Sequence, residues 1–569
     1  KGSRGAVAFY GSHYESDKTF NTDFDFLVKR LIDRNGDGQV DTTTNGEPVI
    51  SRFLSTSGAP DEYRRIANGV ATGTAVIDPD CVAAKGYVVG TNCLYDFAEQ
   101  SGPISGEKRD IGFAEFRYDL GEDVFGSDNL SVFGEAGITR NEANRAAGPL
   151  NAPAGPSGGK YTIPANHPFN YFVLNGTGIR WAPGCFDSVV GNEGGACVPV
   201  AITTKDQLRP LGQSVSGRFA PEDSVFTNDS ERYLLGLNSS FGSWNLDFWA
   251  QRHSQESVRS VPGNFVVSKL QAALNAGILN PFGSAEATPG AVSLKNSAIK
   301  AGNNYDQLKE YGALVSFIYT RKATQNTYDV LLSNGNLFEL PGGDAGIAVG
   351  LQRRDETFRF DPNPNTDDPT ADPVIVGDTS VNSVFAEAVL PLSEKLEVQT
   401  AVRFEDHGSV VGETVDPKIA ARFDATPWLA LRGSYGTSFQ APSSNQQGGI
   451  VNSGAVNYRT VAGTATCGGA ELSSFIVAQV GQPVGSLKPQ SAKNLNFGFV
   501  VQANNFDTSI DYWRYDYTDL IVNTQNAQAI LDSSCAGVTN GSPPRASEFI
   551  ERAANGQPTK IILALQNAN

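Results

Sequence analysis

From Lys395 onward the chain alternates almost without fault: Leu396, Val398, Thr400, Val402 and Phe404 fall on one side, and Lys395, Glu397, Gln399, Arg403 and Glu405 on the other. Only Ala401 softens the polar side. A period of two over about ten residues describes a β-strand with one apolar and one polar face. The pattern recurs in IGFAEFRYDL, where Gly112, Ala114, Phe116 and Tyr118 oppose Phe113, Glu115, Arg117 and Asp119. It recurs again in WNLDFWAQRH, where Trp244, Leu246, Phe248 and Ala250 oppose Asn245 and Asp247. Further strand signals are GAVAFYGSHYES, LSVFGEAGITR, RYLLGLNSSFG, YGALVSFIYTR, TYDVLL and GIAVGLQRRDETF. In all, roughly sixteen or seventeen strands are predicted.

The connections alternate in length. Short ones sit at Ser243, LFELPGG, LSEK, DATPW and QANN; long ones cover 141–230, 254–307, the acidic NPNTDDPTADP and 438–487. Within the second long segment FVVSKLQAALNAGI has helical spacing. No run of eighteen apolar residues exists, so the sequence encodes no transmembrane helix. A closed barrel is the other way to satisfy every backbone group in lipid. Short turns facing the periplasm and long loops facing outside are what an up-and-down membrane barrel shows. A β-sandwich is the competing reading, but charges in mid-strand and loops of such length count against it. The expectation is an all-β transmembrane antiparallel barrel. Its lipid side carries Leu396, Val398, Val402 and Phe404, and its lumen side Glu397, Gln399 and Arg403. Trp244, Phe248, Tyr311, Phe317, Tyr319, Trp428, Tyr435 and Trp513 are assigned to the outward faces, where aromatic rings form interfacial girdles.

Charge removes one class of partner. The 569 residues carry a formal charge of −17, and phosphate contacts need Lys and Arg, so nucleic acid is set aside. The chain has no Met, and Lys1 opens it without an initiator or a signal peptide, as expected of a sequence that begins mid-protein. Six cysteines fall as Cys81 with Cys93, Cys185 with Cys197, and the isolated Cys467 and Cys535. None has the spacing of a zinc site, so disulfides in an oxidising compartment are expected for the two local pairs, with Cys467 to Cys535 an even choice between bridge and free thiols. Near the start, Asp33, Asn35, Asp37 and Gly38 match the opening of a calcium loop, with Gln39 offering its carbonyl and Asp41 following. Thr44 stands where the bidentate Glu belongs, so bound Ca2+ and a solvated acidic turn are weighed equally. Catalysis finds no support: His13, His167, His253 and His407 are scattered, with no nucleophile elbow and no metal helix.

One stretch carries more than pattern. DPKIAARFDATPWLALRGSYGTSFQAPS, from Asp416 to Ser443, resembles the barrel segment of TonB-dependent outer-membrane receptors. LKPQSAKNLNFGFVVQ (487–502), SIDYWRYDYTDLI (509–521), LFELPGGDAGIAVGLQRRDETF, IPANHPFN (163–170) and NPFG at Asn280 are similar to that family's strands and loops, in the same order. Two positions depart: Gln440 stands where the family generally has Arg, and Gln490 where it generally has Glu. The resemblance implies a barrel of the 22-stranded plugged class in the bacterial outer membrane, surrounded by lipid. It implies a nutrient ligand captured from outside and import energised by TonB. On that reading residues 1–569 are a barrel domain incomplete at both ends, with the N-terminal plug that meets the TonB complex outside this chain. A passive pore or a surface binding barrel is the alternative. The ligand stays open between siderophore, glycan, peptide and cobalamin, and the loop Asn166 to Phe172 is either a ligand contact or simply packs on itself.

Overall fold

The computed structural model describes residues 4–24, 54–55, 62–67, 70–77, 87–89, 92–96, 102–145, 161–176, 178–182, 185, 197–204, 223–279, 281, 308–362, 374–443, 446, 450–456, 475–480, 487–523, 550–552, 558–563 and 565–568. Its dominant element is one thirteen-stranded sheet in which each strand pairs with the next in chain order. The strands are β1 Gly5–Ser16, β2 Gly106–Gly121, β3 Asn129–Arg145, β4 Ser224–Phe241, β5 Trp244–Phe265, β6 Leu314–Leu340, β7 Gly343–Asp361, β8 Ile375–Ser393, β9 Leu396–Asp406, β10 Glu413–Thr426, β11 Leu429–Gln440, β12 Gln490–Ala503 and β13 Phe506–Thr518. Every pairing is antiparallel. The predicted short turns all lie at one end of this sheet. Gly242, at φ 58°, lets β4 reverse into β5, and Asn504, at φ 53°, does the same between β12 and β13; both conformations suit Gly and Asn and few others.

The register resolves the two faces. One cross-strand row on the outer face runs Leu237, Phe248, Val330, Leu351, Val384, Phe404 and Val415, and it is wholly apolar. One row nearer the long loops, Ala250, Tyr328, Arg353, Asn382 and Asp406 stand abreast. The next row is Tyr233, Arg252, Asn326, Asp355 and Ser380. The outer face therefore passes from hydrocarbon-compatible to water-compatible within two rows, and Tyr233 and Tyr328 mark the boundary. Phenol rings at that depth meet lipid with their bodies and water with their hydroxyls.

The aromatic assignment is corrected in part. Trp244, Phe248 and Tyr435 do lie on the outer face, Trp428 lies in the turn before β11, and Tyr311 precedes β6. Phe317 and Tyr319 point inward: Phe317 is 9% exposed, and Tyr319 stacks on Phe360 and accepts the Arg259 guanidinium at 5.8 Å from its ring centroid. Trp513 is also inward, sharing its face with Asp511, the partner of Arg432. Strand β6 explains the first error. YGALVSFIYTR and TYDVLL belong to one strand of 27 residues, so their faces must be counted through the polar KATQNT between them.

Inside the sheet, close packing is local. The Phe385 ring covers Gly350 so tightly that a Cβ there would sit 2.1 Å from Phe385 Cζ. Gly350→Ala is expected to destabilise the barrel by about 1–3 kcal/mol through overpacking, and Phe385→Leu in the same chain is expected to restore much of it; denaturant midpoints of refolded protein measure both.

The well-packed apolar core lies outside the sheet, at the ends of β5 and β6. Helix α1, Val267–Asn275, buries Val267, Leu270, Ala273 and Leu274 against Tyr161, Ile163, Phe172, Ile202 and Phe265. Its strands come from two long loops: Glu62–Ala67, Val70–Ile77, Thr162–Ile163 and Ile202–Thr204 form a four-stranded sheet, and Phe172–Asn175 pairs with Gly178–Trp181. The loops are thus a folded lobe with an interior of its own.

Candidate functional site

A membrane sheet must keep its inner polar groups satisfied, because each orphan costs several kcal/mol away from water. The inner face of β6–β9 does so with one network. Asp329, Gln352, Ser383 and Glu405 stand abreast on four strands, and Asp329, Ser383 and Glu405 are buried. Gln352 Nε2 donates to both Asp329 carboxylate oxygens at 2.9 and 3.2 Å. Arg403, one pleat away on β9, donates to Gln352 Oε1 at 2.9 Å and to Glu405 Oε1 at 2.6 Å. The Ser383 hydroxyl donates to the same Glu405 oxygen at 3.0 Å. Arg403 also lies 5.5 Å from the Phe385 ring centroid.

Toward the loops the network opens into a cavity of about 300 Å³. Arg354 and Glu356 line it from β7, paired at 2.6 Å, with Thr379 and Val381 from β8 and Glu405 from β9. His407, just past β9, is buried with its Nε2 3.0 Å from Glu405 Oε2, and its ring meets Phe439 edge-on at 5.4 Å. His407 is held there because its N–H donates to the Gly412 carbonyl across a short helical turn, Gly408–Val411. Beyond Phe439, Gln490 Nε2 donates to Gln440 Oε1. The two positions that depart from the receptor pattern are therefore opposite each other, and a neutral amide pair joins them.

Of the residues that the sequence singled out, Arg403, Glu405, His407 and Gln440 meet at this site. Asp33, Asn35, Asp37, Gln39 and Asp41 lie outside the described residues, as do Cys81, Cys93, Cys467 and Cys535. Cys185 and Cys197 form a disulfide with a Cα–Cα distance of 5.4 Å. The Asn166 to Phe172 loop is built into the lobe's core: Phe169, Tyr171 and Phe172 are at most 2% exposed, and Phe169 and Phe172 belong to the same apolar cluster as Ile202, Phe265 and Leu270. Asn170 is its pin, donating to the Pro164 and Val200 carbonyls at 2.9 Å each and accepting from Phe172 N–H at 3.0 Å. Asn170→Ala leaves those backbone groups without that partner, and a loss of about 1–3 kcal/mol, confined to the lobe, is expected; faster limited proteolysis of the lobe with an unchanged wall checks it. Of the other histidines, His13 contacts Asp110 at 2.6 Å and His253 contacts Ser230 at 3.1 Å, both on the sheet, while His167 is buried in the lobe. The Asp329, Gln352 and Ser383 contribution was not foreseen. Its signal was available only through cross-strand register, since each residue alone reads as an ordinary polar-face position.

A family described as TonB dependent receptor-like, β-barrel matches residues 160–546. The probable TonB-dependent siderophore receptor PirA of Acinetobacter baumannii is 24% identical over 164 residues, which cover 29% of this chain and 20% of that protein. Among solved structures, the siderophore receptor PirA from Acinetobacter baumannii aligns with a TM-score of 0.41 at 14% identity, covering 82% of this chain and 49% of that one. A mutant of the ferric enterobactin receptor PfeA from Pseudomonas aeruginosa, in complex with enterobactin, aligns with a TM-score of 0.47 at 10% identity, covering 100% of this chain and 54% of that one. The chain thus spans about half the length of these solved receptors and a fifth of the curated relative.

Proposed function

The chain belongs to the TonB-dependent receptor family of outer-membrane β-barrels, and from that premise we propose that it forms the wall of an importer whose cargo is a ferric siderophore. The observation that carries the proposal is the family match across residues 160–546, which takes in the long loops, the inner network and the strands β4–β13. The siderophore class is supported by the relative of probable siderophore-receptor function, 24% identical over its matched segment. In this reading the loop lobe and the outer end of the inner face receive the chelate, and the TonB complex supplies energy through a plug. The partly charged inner face suits a polar, multidentate ligand, while the apolar outer rows hold the barrel in lipid.

The test is uptake of radiolabelled iron by iron-starved cells carrying or lacking the intact gene, supplied with ferric hydroxamate or ferric catecholate chelates. Gene-dependent uptake that stops when a protonophore collapses the proton-motive force is expected. Uptake indifferent to the protonophore would make the protein a passive pore, and binding without uptake would make it a surface receptor. Calcium at Asp33, Asn35, Asp37, Gln39 and Asp41 is a separate part of the proposal: calorimetry is expected to show calcium binding that Asp37→Ala abolishes, and equal binding by both proteins removes it.

A further inference from the structure

Carboxylates outnumber cations in this chain, 61 to 44, and most arginines of the sheet stand against one, as Arg117 does against Asp119, Arg232 against Glu135, Arg353 against Asp355 and Arg422 against Asp424. Two arginines at the loop end do not. Arg259 on β5 stands abreast of Phe226 on β4 and Tyr319 on β6, with its guanidinium 5.2 and 5.8 Å from their ring centroids. Arg321 lies two residues along β6 from Tyr319, with its guanidinium 5.1 Å from the ring of Phe360, abreast of it on β7. Both are exposed on the inner face, and among the described residues neither guanidinium makes an ion pair or a hydrogen bond. A third, Arg145 at the end of β3, is exposed on the same face, level with Ser224, and also without such a partner.

Register explains why no carboxylate reaches them. Over 141–145, 224–230, 255–261 and 317–323 the acidic residues are Glu142, Asp229 and Glu256, and all three alternate onto the outer face. Besides the three arginines, the inward positions there are Asn, Ser, Gln, Ala, Val and aromatic residues. The first inward carboxylate on β7, Glu356, is two rows nearer the membrane and already held by Arg354 and Gln325. This face therefore offers charged donors without matching acceptors. A guanidinium resting on an aromatic ring is held in place by it and keeps its fork of N–H groups for a planar oxyanion. Arg259 and Arg321 are diagonal neighbours on adjacent strands, about 7–8 Å apart at the backbone, a spacing that suits two oxyanion groups of one ligand better than a single ion.

We propose that the inner face at the loop end of β3–β6 is an anion site, which takes a ligand bearing two or more carboxylate-like oxyanions on Arg259 and Arg321. That such a ligand is imported cargo rests on the importer reading; recognition of a polyanion by this face does not. Binding needs no covalent step: the oxyanions replace water on the two guanidiniums with charge-assisted hydrogen bonds.

The test uses the receptor purified from outer membranes in detergent, without TonB or energisation, so that its failure is independent of whether the protein transports. Saturation-transfer NMR is recorded with benzene-1,3,5-tricarboxylate, and with benzene-1,3,5-tricarboxamide as the uncharged probe. Saturable binding of the trianion and none of the amide is expected. Arg259→Gln and Arg321→Gln are each expected to weaken trianion binding about tenfold or more, the loss of one charge-assisted partner. Ser257→Glu keeps both arginines and supplies a competing carboxylate abreast of Arg321; the same weakening is expected from it. Arg252→Gln removes a cation from the outer face of β5 and is expected to leave binding unchanged. Equal binding of the two probes, no binding of the trianion, trianion binding that survives Arg259→Gln and Arg321→Gln, or a loss as large in Arg252→Gln overturns the proposal.

Discussion

Arg403→Leu is expected to cost the folded barrel about 3 kcal/mol, the lower end of what breaking one side of a buried ion pair does. The lower end applies because the Arg403 side chain is 33% exposed while that of Glu405 is 7% exposed. Removing the guanidinium leaves the Glu405 carboxylate with only Ser383 and the off-line His407, and leaves Gln352 Oε1 without its donor. The decisive comparison is the double change Arg403→Leu with Glu405→Leu, which removes both charges together. Paired buried ions are often replaceable by apolar side chains at little net cost, so the double variant is expected to be more stable than the single one. Denaturant midpoints of protein refolded into micelles report the difference. A single variant as stable as the double would mean that Glu405 is solvated and that the inner network is a surface feature.

Val402→Arg is expected to be the second large effect, about 2–4 kcal/mol, as for a cation placed in the apolar band of a barrel. Val402 is 43% exposed and stands level with Ala386, Val349 and Leu332 on the outer face. The control is Gln399→Arg, on the inner face of the same strand beside Glu397, where an added cation meets water and a carboxylate. Outer-membrane yield and the heat-modifiable mobility of the assembled barrel distinguish the two. Should Gln399→Arg fail while Val402→Arg assembles, the faces of β9 are reversed, and with them the inner site.

How legible these faces were depended on depth in the membrane. Between its turn and Phe404, β9 passes lipid on one side and the inner space on the other, and the alternation in the sequence is nearly perfect. Strands β5–β7 run farther, and once they leave the lipid both faces meet water. Lys322, Thr324 and Asn326 occupy the outer face of β6 there, the period of two fades, and one strand reads as two. That accounts for one of the strands predicted beyond the thirteen of the described sheet, and for placing Phe317 and Tyr319 on the wrong side. The short turns were readable because Gly and Asn mark them. The lobe was not: its contacts join residues as far apart as Ile163, Ile202 and Leu270, and no local pattern encodes such pairings. For the same reason the inner network was invisible, since Asp329, Gln352, Ser383 and Glu405 become neighbours only when four strands align.

The boundary row at Tyr328 carries one more consequence. From Tyr328 back to Leu314, at about 3.3 Å per residue and a tilt of about 40°, β6 climbs roughly 35 Å beyond the lipid. The helix and loop strands packed around Phe265 and Leu314 are carried at the top of that climb, like a turret on a tower rather than a rim around a well. Among the described residues, the loop end of this barrel therefore carries a structure with an apolar interior of its own, and an antibody or protease approaching the cell surface meets that turret before it reaches the membrane.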